Sequence, residues 1–399
     1  MRVDLVTKEY PPAIYGGAGV HATELVRALR DTTEVQVRCF GEPRDEADVT
    51  AYAVPAELAD ANGALQTLAV DLQIADDTEG ADVVHSHTWY ANEAGRLSQE
   101  LHGIPHVITA HSLEPLRPWK AEQLGGGYRI SSDIERRAYE GADRVIAVSD
   151  GMRADILRCY PSLDPAKVVT IYNGIDIDDW APNPDADRAR ELGLDPDRPS
   201  VVFVGRITRQ KGLPHLLRAA EALPDEVQLI LCAGAPDTPE IMAEVRALVE
   251  GLQAERDGVV WIDEHLPRED MRVLLTHATT FVCPSVYEPL GIVNLEAMAC
   301  GAPVVGSATG GIPEVIVDGE TGTLVPIEQV EDGTGTPVDP ERFERDLGEA
   351  LRAMVADPER ARRMGEAGRQ RARAVFDWGS IAAQTREVYE AVIAERAER

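Results

Sequence analysis

Two glutamates in one short stretch of this chain are placed to bind hydroxyl groups. Glu288 follows an apolar run, Thr280–Cys283, that predicts a buried strand, and Glu296 lies in a stretch, Ile292–Ala299, that predicts a helix. Open parallel sheets bind ligands outside the carboxyl ends of their strands, and the start of a helix can hold an anion there. A phosphorylated sugar would supply both the anion and the hydroxyl groups. Taken alone, two solvated surface glutamates explain the same pattern.

A basic loop supplies the opposite charge. Arg206 and Lys211 lie in the sequence Gly-Arg-Ile-Thr-Arg-Gln-Lys-Gly, which follows a predicted strand, Val201–Gly205, and precedes a predicted helix. An arginine fork with a lysine point charge is a usual pair for a diphosphate. The chain has 39 Lys and Arg against 69 Asp and Glu, a net charge of -30, so a local basic loop is more informative here than in an average protein. An ordinary solvated loop is the alternative, and it is the simplest interpretation of Arg209.

A glycine-rich loop near the start of the chain offers another anion site. Gly16, Gly17 and Gly19 come after a predicted strand, Val3–Thr7, and open a predicted helix. Backbone N–H groups there can approach a phosphate at the positive end of the helix. The rival interpretation is the dinucleotide fingerprint Gly-x-Gly-x-x-Ala of nicotinamide-dependent oxidoreductases. In that fingerprint the first glycine follows the strand almost directly, whereas residues 8–16 lie between the strand and Gly17 here.

Histidines lie at the ends of two predicted strands. His111 follows the strand His106–Ala110, where it could contact a sugar hydroxyl or hold charge near a reaction centre. His87 and Trp89 follow another strand and are expected at the same rim, where the indole could stack on a sugar ring, whereas strand alternation points His85 into the core. Packing would also explain each of these residues. The His-x-His pattern could suggest a metal, but the spacing specifies no third ligand, so no metal site is predicted.

Strands and helices alternate twice along the chain. This alternation predicts an α/β protein with two doubly wound parallel sheets and helices on both faces of each. We expect a Rossmann-like domain over residues 1–175, a linker over 176–198, a second Rossmann-like domain over 199–377, and a C-terminal helix, 378–399, that crosses back to the first domain. Two such domains would face a central cleft. The other predicted strands are Val35–Phe40, Val83–His87, Val145–Ser149, Val168–Tyr172, Gln228–Ala233, Val259–Asp263 and Pro303–Gly306.

Composition narrows the function. Hydrophobic residues make up 44% of the 399 residues, enough for sizeable cores. The net charge of -30 argues against nucleic acid or an anionic membrane as a partner. The five cysteines show no paired spacing, and the sequence contains no apolar run of about 18 residues that could cross a bilayer. We therefore expect a soluble cytoplasmic protein, with a homodimer left open.

Together these motifs resemble the glycosyltransferases of family 4, which have the two-domain GT-B architecture. The resemblance is greatest to the bacterial glycogen synthase branch, which includes the actinobacterial α-maltose-1-phosphate synthases, and it spans nearly the whole chain. It rests on the opening Gly-Gly loop, His85-Ser-His-Thr-Trp, Thr-Ala-His111, Asn173-Gly-Ile-Asp, Gly-Arg206 with Lys211-Gly, Pro284-Ser-x-x-Glu-Pro-x-Gly with Glu296, and Gly310-Gly-Ile-Pro-Glu.

The resemblance implies a retaining transfer of glucose from a nucleotide sugar, with no metal and no other cofactor. Arg206 and Lys211 would neutralise the leaving diphosphate. Glu288 would bind sugar hydroxyls and stabilise the cationic sugar, Glu296 would bind the ribose hydroxyls, and His111 would contact the sugar near the reaction centre. The other donor-binding residues would be Gly16, Gly17, Tyr287, Leu290, Gly291, Ile292 and Val293. The acceptor-binding residues would be His87 and Trp89.

Two departures from the family bear on the acceptor. Longer glycogen synthases often have a lysine where Tyr15 stands and an aspartate where Thr88 stands. These differences favour glucose 1-phosphate as acceptor, giving maltose 1-phosphate, over elongation of glycogen or another α-glucan. The preferred function is therefore transfer from ADP-glucose to an α-1,4 acceptor in glycogen biosynthesis. The alternatives are a family 4 glycosyltransferase acting on a lipid or small metabolite with another nucleotide sugar, an NAD-dependent oxidoreductase, and a non-catalytic nucleotide-sugar-binding protein.

Overall fold

The computed structural model describes residues 1–121 and 125–398, which form two compact units. The first unit combines residues 1–174 with residues 378–398, and the second is Ile175–Asp377. Each unit is built on one parallel sheet covered by helices, which confirms the predicted α/β class. Within the described ranges, no helix combines the length and the apolar character needed to cross a membrane.

A seven-stranded parallel sheet forms the centre of the first unit. The strands lie in the order β3-β2-β1-β4-β5-β6-β7, so the direction of chain progress reverses between β1 and β4. The loops that follow β1, β4 and β5 therefore meet at one rim of the sheet, which is where such sheets bind ligands. The strands are β1 (Arg2–Thr7), β2 (Glu34–Phe40), β3 (Val49–Tyr52), β4 (Val83–His87), β5 (His106–Ala110), β6 (Arg144–Ala147) and β7 (Val168–Thr170).

Helices cover both faces of this sheet. They include α1 (Gly17–Leu29), α2 (Gly63–Asp77), α3 (Trp89–His102), α4 (Gly127–Gly141) and α5 (Asp150–Cys159). Side chains alternate along β1, so that Val3 and Leu5 pack with α1 while Val6 packs with α2 and α3. Alternation of this kind places each rim loop between two layers of helices.

The second unit repeats the plan with a six-stranded parallel sheet in the order β10-β9-β8-β11-β12-β13. The loops after β8, β9 and β11 meet at its rim for the same reason. The strands are β8 (Ser200–Arg206), β9 (Gln228–Gly234), β10 (Val259–Ile262), β11 (Thr280–Cys283), β12 (Val304–Ser307) and β13 (Gly322–Val325). The helices include α6 (Ala186–Glu191), α7 (Leu213–Ala219), α8 (Pro239–Glu255), α9 (Arg268–His277), α10 (Ile292–Ala299), α11 (Ile312–Val315), α12 (Pro340–Val355) and α13 (Pro358–Val375).

A later helix, α14 (Trp378–Ala397), belongs to the first unit. Its residues Trp378, Ile381 and Tyr389 lie in the hydrophobic cluster formed by α1 and one face of the first sheet. This is the packing predicted for the C-terminal helix. The first unit is consequently assembled from two separate segments of the chain.

The predicted linker is wrong, because residues 176–198 belong to the second unit. They include α6, whose Ala189 is fully buried. Arg188 of this helix donates hydrogen bonds of 2.7 and 2.8 Å to the carboxylate of Asp270 on α9. The acidic composition was misleading because Asp185 caps α6, accepting the Arg188 N–H at 2.9 Å.

Candidate functional site

Lys211 and Glu288 form an ion pair at the rim of the second sheet. Lys211 lies in the turn after β8 and Glu288 in the loop after β11, and these strands are direct neighbours. The Lys211 Nζ atom lies 2.7 Å from Glu288 Oε2, which also accepts a hydrogen bond of 3.0 Å from Ser285 Oγ. Burial would lower the pKa of Lys211, but the Glu288 carboxylate beside it outweighs that effect and the pKa is raised. Lys211 is therefore charged at neutral pH.

Two glycines allow the neighbouring loops to approach the Glu288 loop closely. Gly212 has a φ of +63°, and a Cβ atom there would lie 2.0 Å from the carbonyl oxygen of Pro284. Gly310 has a φ of +54°, and its Cβ would lie 2.0 Å from the carbonyl oxygen of Glu288. The Gly311 N–H donates to the same oxygen at 2.9 Å. Only glycine fits at positions 212 and 310, so these two motif glycines allow the close packing that positions Glu288.

Arg206 is the second cation at this rim. It ends β8, its side chain is 44% exposed, and its Nη2 donates to Asp237 Oδ1 at 2.7 Å. Asp237 follows β9, the other neighbour of β8, and its side chain is only 9% exposed. Sequence reasoning missed Asp237, which only the order of the strands places beside Arg206. Both Arg206 and Lys211 are thus paired with a carboxylate of the same unit.

Glu296 adds a carboxyl group on α10, the helix that follows the Glu288 loop. The residue is half-buried, and burial raises its pKa to about 7, although Arg268 and Lys211 oppose the shift. Near neutral pH the carboxyl group is therefore divided between its two protonation forms. It can accept a hydrogen bond from a ligand hydroxyl or donate one to it.

The loop that leads into α10 contains the other predicted donor-binding residues of this unit, which are Tyr287, Leu290, Gly291, Ile292 and Val293. Gly291 precedes the helix in a left-handed conformation, with a φ of +94°. Tyr287 and Leu290 are buried, whereas Ile292 and Val293 are half-buried in the first turn. The two buried side chains therefore support the loop by packing, and the first turn leaves backbone N–H groups to meet an anion.

The glycine loop of the first unit already holds an anion of its own. The carboxylate of Glu9, two residues after β1, accepts the N–H groups of Tyr15 at 2.9 Å and Gly16 at 2.8 Å. A phosphate would have to displace Glu9 to accept the Gly16 N–H, so the assignment of Gly16 to the donor stays a prediction. Gly17 begins α1, and a Cβ at Gly19 would lie 2.7 Å from Glu9 Cβ. The third glycine is therefore explained by packing, which removes support from the dinucleotide fingerprint.

His85 and His87 lie on the same face of β4, because side chains alternate along a strand. His85 is buried as predicted, and its ring nitrogens lie 2.7 Å from the Tyr389 hydroxyl of α14 and 2.7 Å from Thr109 Oγ1. His87 is also fully buried, so the prediction that it reaches an acceptor is wrong. Its Nδ1 lies 2.9 Å from Nε2 of His111, which is half-buried at the rim. Of these histidines, His111 is the one open to a ligand.

His21 of α1 completes a cluster with His87 and His111. One ring nitrogen of each residue lies within 4.8 Å of those of the other two. Burial lowers the pKa of all three, that of His21 to about 4, so the imidazoles are neutral at pH 7, the form that binds metal ions. The sequence spacing did not predict a third histidine, because His21 comes from a different element. Among the described residues of the first unit, these three are grouped closely enough to hold a metal.

Trp89 begins α3, but its indole is only 4% exposed. It packs with Ala64 and Ile134, and its ring centroid lies 4.1 Å from that of Tyr90. The predicted stacking of Trp89 on a sugar ring is therefore wrong, since packing within the unit uses the indole. The neighbouring Tyr90 is half-buried, and the Nζ atom of Lys8 lies 3.8 Å from its ring centroid. Sequence reasoning missed both Lys8 and Tyr90.

Comparisons with known proteins match both units. A family model described as Glycosyltransferase Family 4 matches residues 15–179, and one described as Glycosyl transferases group 1 matches residues 185–371. The α-maltose-1-phosphate synthase of Mycolicibacterium smegmatis is 56% identical over 397 residues, covering 99% of this chain and 100% of the relative. The protein of the same name from Mycobacterium tuberculosis is 55% identical with the same coverage.

Solved structures share the fold. The sucrose-phosphate synthase of Thermosynechococcus elongatus matches with a TM-score of 0.77 and 26% identity over 99% of both chains. The catalytic domain of starch synthase IV from Arabidopsis thaliana, bound to ADP and acarbose, matches with a TM-score of 0.75 over 98% of this chain and 99% of that one. At 18% identity the second similarity shows the fold alone.

Proposed function

Since this chain belongs to the glycosyltransferases of family 4, we propose that it transfers glucose from ADP-glucose to the 4-hydroxyl of glucose 1-phosphate, giving maltose 1-phosphate with the α configuration retained. The family match covers both units and makes the chain a nucleotide-sugar-dependent hexosyltransferase. The proposed acceptor is supported by relatives at 56% and 55% identity that carry the name α-maltose-1-phosphate synthase. The choice of adenine as the base of the donor rests on the resemblance to the glycogen synthase branch.

The observation that carries this proposal is the Lys211–Glu288 ion pair beside Arg206 at one rim. The diphosphate of a nucleotide sugar would draw Arg206 away from Asp237 and share Lys211 with Glu288. The carboxylate of Glu288 would then meet the hydroxyl groups of the sugar. Cations facing phosphate and carboxylates facing hydroxyls form a preorganised charge pattern, which is usually a large contribution to catalysis.

The proposed reaction exchanges one bond at C1 of glucose for another. The bond from C1 to the diphosphate oxygen breaks, and a bond from C1 to O4 of the acceptor forms on the same face of the ring. The leaving phosphate oxygen takes the proton of the acceptor hydroxyl. Lys211 and Arg206 stabilise the negative charge that develops on the diphosphate, and Glu288 stabilises the positive charge that develops on the sugar. Glu296 would hold the ribose hydroxyls.

The test is an assay of ADP release with ADP-glucose and glucose 1-phosphate, with identification of the sugar product. We expect ADP and an α-1,4-linked phosphorylated disaccharide in equal amounts, and little ADP when the acceptor is omitted. UDP-glucose and GDP-glucose test the base, and glycogen and maltose test polymer elongation. Product formation only with glycogen would contradict the proposed acceptor, and no ADP release with any acceptor would contradict the donor.

Metal independence is part of the same proposal. The charge that stabilises the leaving diphosphate comes from Arg206 and Lys211, so a chelator is expected to leave turnover unchanged. Strong inhibition by EDTA that added Zn²⁺ or Mg²⁺ reverses would contradict this expectation and would direct attention to the His21, His87 and His111 cluster. We propose a cytoplasmic location, supported by the five cysteines, which are all free thiols in the described ranges.

A further inference from the structure

Two cations of the first unit lie at the rim of its sheet and have no role in the site described above. Lys8 directly follows β1, and Arg117 follows the single helical turn Glu114–Leu116 after β5. The intervening strand β4 leads into α3, whose second residue is Tyr90. Because β1, β4 and β5 are adjacent and parallel, all three residues come from loops at one rim.

Tyr90 contacts one of the two cations and is affected by the charge of the other. The Lys8 Nζ atom lies 3.8 Å from the centroid of its ring. Burial and the charge of Glu114 raise the pKa of the Tyr90 hydroxyl, and the positive charge of Arg117 acts in the opposite direction, which places Arg117 within electrostatic reach of that hydroxyl. A cation over an aromatic face keeps its N–H groups available for another partner.

In the described part of the chain, neither cation has a carboxylate partner. Among residues 1–121 and 125–398, no carboxylate oxygen lies within the 4.0 Å of an ion pair from Lys8 or Arg117. In a chain with 69 acidic residues and a net charge of -30, two cations at one rim that form no ion pair with any described residue are unexpected. Burial, opposed by Glu9, lowers the pKa of Lys8, which is the response of an ammonium group that lacks a close counter-ion.

The acidic groups nearby are engaged elsewhere. The Glu9 carboxylate accepts the N–H groups of Tyr15 and Gly16 at 2.9 and 2.8 Å. The Glu114 carboxylate is buried and accepts a hydrogen bond of 2.6 Å from Ser131. Neither carboxylate therefore forms an ion pair with Lys8 or Arg117.

Arg117 retains donors for a ligand. Its Nη1 donates to Ser112 Oγ at 2.7 Å, while its Nε is buried without a hydrogen-bond partner in the described part of the chain. Ser112 directly follows His111, the half-buried histidine at the same rim. An anion bound by Arg117 would thus lie close to the position where the sugar is expected.

We propose that Lys8 and Arg117, with the hydroxyl groups of Tyr90 and Ser112, bind the phosphate of a sugar-phosphate acceptor. This inference rests on the proposed function and names residues for its acceptor side. The arginine fork and the lysine point charge suit a phosphomonoester dianion. The diphosphate of the donor is assigned to Arg206 and Lys211 in the other unit, so the two anions of the reaction have separate cations.

The first test compares two acceptors that differ only in the phosphate, glucose 1-phosphate and glucose. In Lys8→Gln and Arg117→Gln, we expect the ratio of kcat/KM for glucose 1-phosphate to kcat/KM for glucose to fall by roughly ten- to a hundredfold, the usual effect of losing one charge-assisted hydrogen bond. Arg117→Lys, which keeps the charge, is expected to restore part of the ratio. An unchanged ratio in both Gln variants would overturn the proposal.

The matched control is Arg136→Gln, which removes the same charge from α4. Arg136 is exposed and already paired with Asp133 and Glu140, both at 2.8 Å, so the ratio should stay as in the unaltered chain. If Arg136→Gln lowered the ratio as much as Arg117→Gln, the effect would reflect net charge and the proposed site would be refuted.

A second measurement separates this site from the proposed reaction. Binding of inorganic phosphate and of glucose 1-phosphate to the full chain is followed by calorimetry, without donor. We expect both to bind and both variants to lose at least about tenfold in affinity. Binding that depends on Lys8 and Arg117 without transfer to glucose 1-phosphate would uphold the site and refute the proposed function. Transfer to glucose 1-phosphate, together with phosphate binding that neither substitution weakens, would support the proposed function and refute the site.

Discussion

At the scale of single residues, the Lys211–Glu288 pair carries the largest consequences. Glu288→Gln keeps the shape of the side chain but removes the charge opposite the cationic sugar, and Lys211→Ala removes the charge opposite the leaving diphosphate. We expect each change to lower kcat by at least about 100-fold, the usual cost of removing one preorganised electrostatic group. Steady-state ADP release measures the loss, and circular dichroism checks that the fold is kept.

Arg209→Gln is the control for this pair, because Arg209 is an exposed cation in the same loop. It should leave turnover within about twofold of the unaltered chain, since a solvated surface charge contributes little. Near-normal turnover in Glu288→Gln or Lys211→Ala would show that the role assigned to that residue is wrong, regardless of the turnover of Arg209→Gln.

Asp237 is expected to act through Arg206. Its carboxylate holds the guanidinium at 2.7 Å, so Asp237→Asn should lower kcat/KM for the donor by leaving Arg206 less well oriented. Arg206→Ala should lower it more. The decisive measurement is the double variant, in which adding Asp237→Asn to Arg206→Ala should have no further effect. Additive losses would mean that Asp237 acts independently of Arg206.

Some site residues could be predicted from the sequence and others could not. Arg206, Lys211 and Glu288 were found because charged residues at the ends of parallel strands converge at one rim. Asp237 was missed because its contact with Arg206 depends on which strands are neighbours in the sheet. Trp89 was misassigned because a residue that starts a helix can point its side chain into the helix packing, and the sequence alone does not give that direction.

At the scale of elements, the close approach of loops after neighbouring strands sets the position of Glu288. A Cβ at Gly310 would lie 2.0 Å from the Glu288 carbonyl oxygen, at a φ of +54°. We expect Gly310→Ala to reduce both turnover and the free energy of unfolding of the second unit, since the left-handed backbone alone costs about 1–2 kcal/mol and the clash adds to it. Urea denaturation and ADP release measure the two effects.

Gly319→Ala is the matched comparison for this substitution. Gly319 has a φ of +76°, but a Cβ there would have no atom within 4 Å. Gly319→Ala should therefore lower the free energy of unfolding only by the cost of the left-handed backbone, and turnover should stay normal. Equal effects of Gly310→Ala and Gly319→Ala on turnover would mean that the loop contact does not position Glu288.

Most elements of both sheets were predictable, because their apolar runs and helical stretches alternate regularly. Strands β3 and β13 were not predicted, since only two of the four residues of each are buried and neither forms a continuous apolar run. The segment with α6 was misread as a linker because its many acidic residues concealed a short capped helix. In both cases tertiary contacts, rather than local composition, decide the structure.

At the scale of the whole molecule, a buried carboxyl group makes the stability of the first unit depend on pH. Glu135 of α4 accepts the Glu114 N–H at 2.8 Å and the Tyr160 hydroxyl. Burial, together with the charge of Glu114, raises the pKa of Glu135 from 4.5 to about 8. The folded chain therefore holds a proton that the unfolded chain releases, so this stabilisation is fully present below pH 4.5 and is lost as the pH rises to about 8.

Glu135→Gln removes this titration while keeping an oxygen that can accept both hydrogen bonds. We expect the free energy of unfolding of the unaltered chain to fall, relative to that of the variant, between about pH 5 and about pH 8. Urea denaturation across this range gives the difference. Parallel curves for the two proteins would contradict the raised pKa of Glu135.

The discontinuity of the first unit has a consequence for how the protein is made. Residues 1–174 are translated first, but they lack α14, which supplies Trp378 and the Tyr389 hydroxyl that meets His85. The ribosome synthesises the whole of Ile175–Asp377 before it reaches that helix. The first unit therefore begins to emerge from the ribosome before the second unit but can complete its folding only afterwards. By then the second unit has already had time to fold.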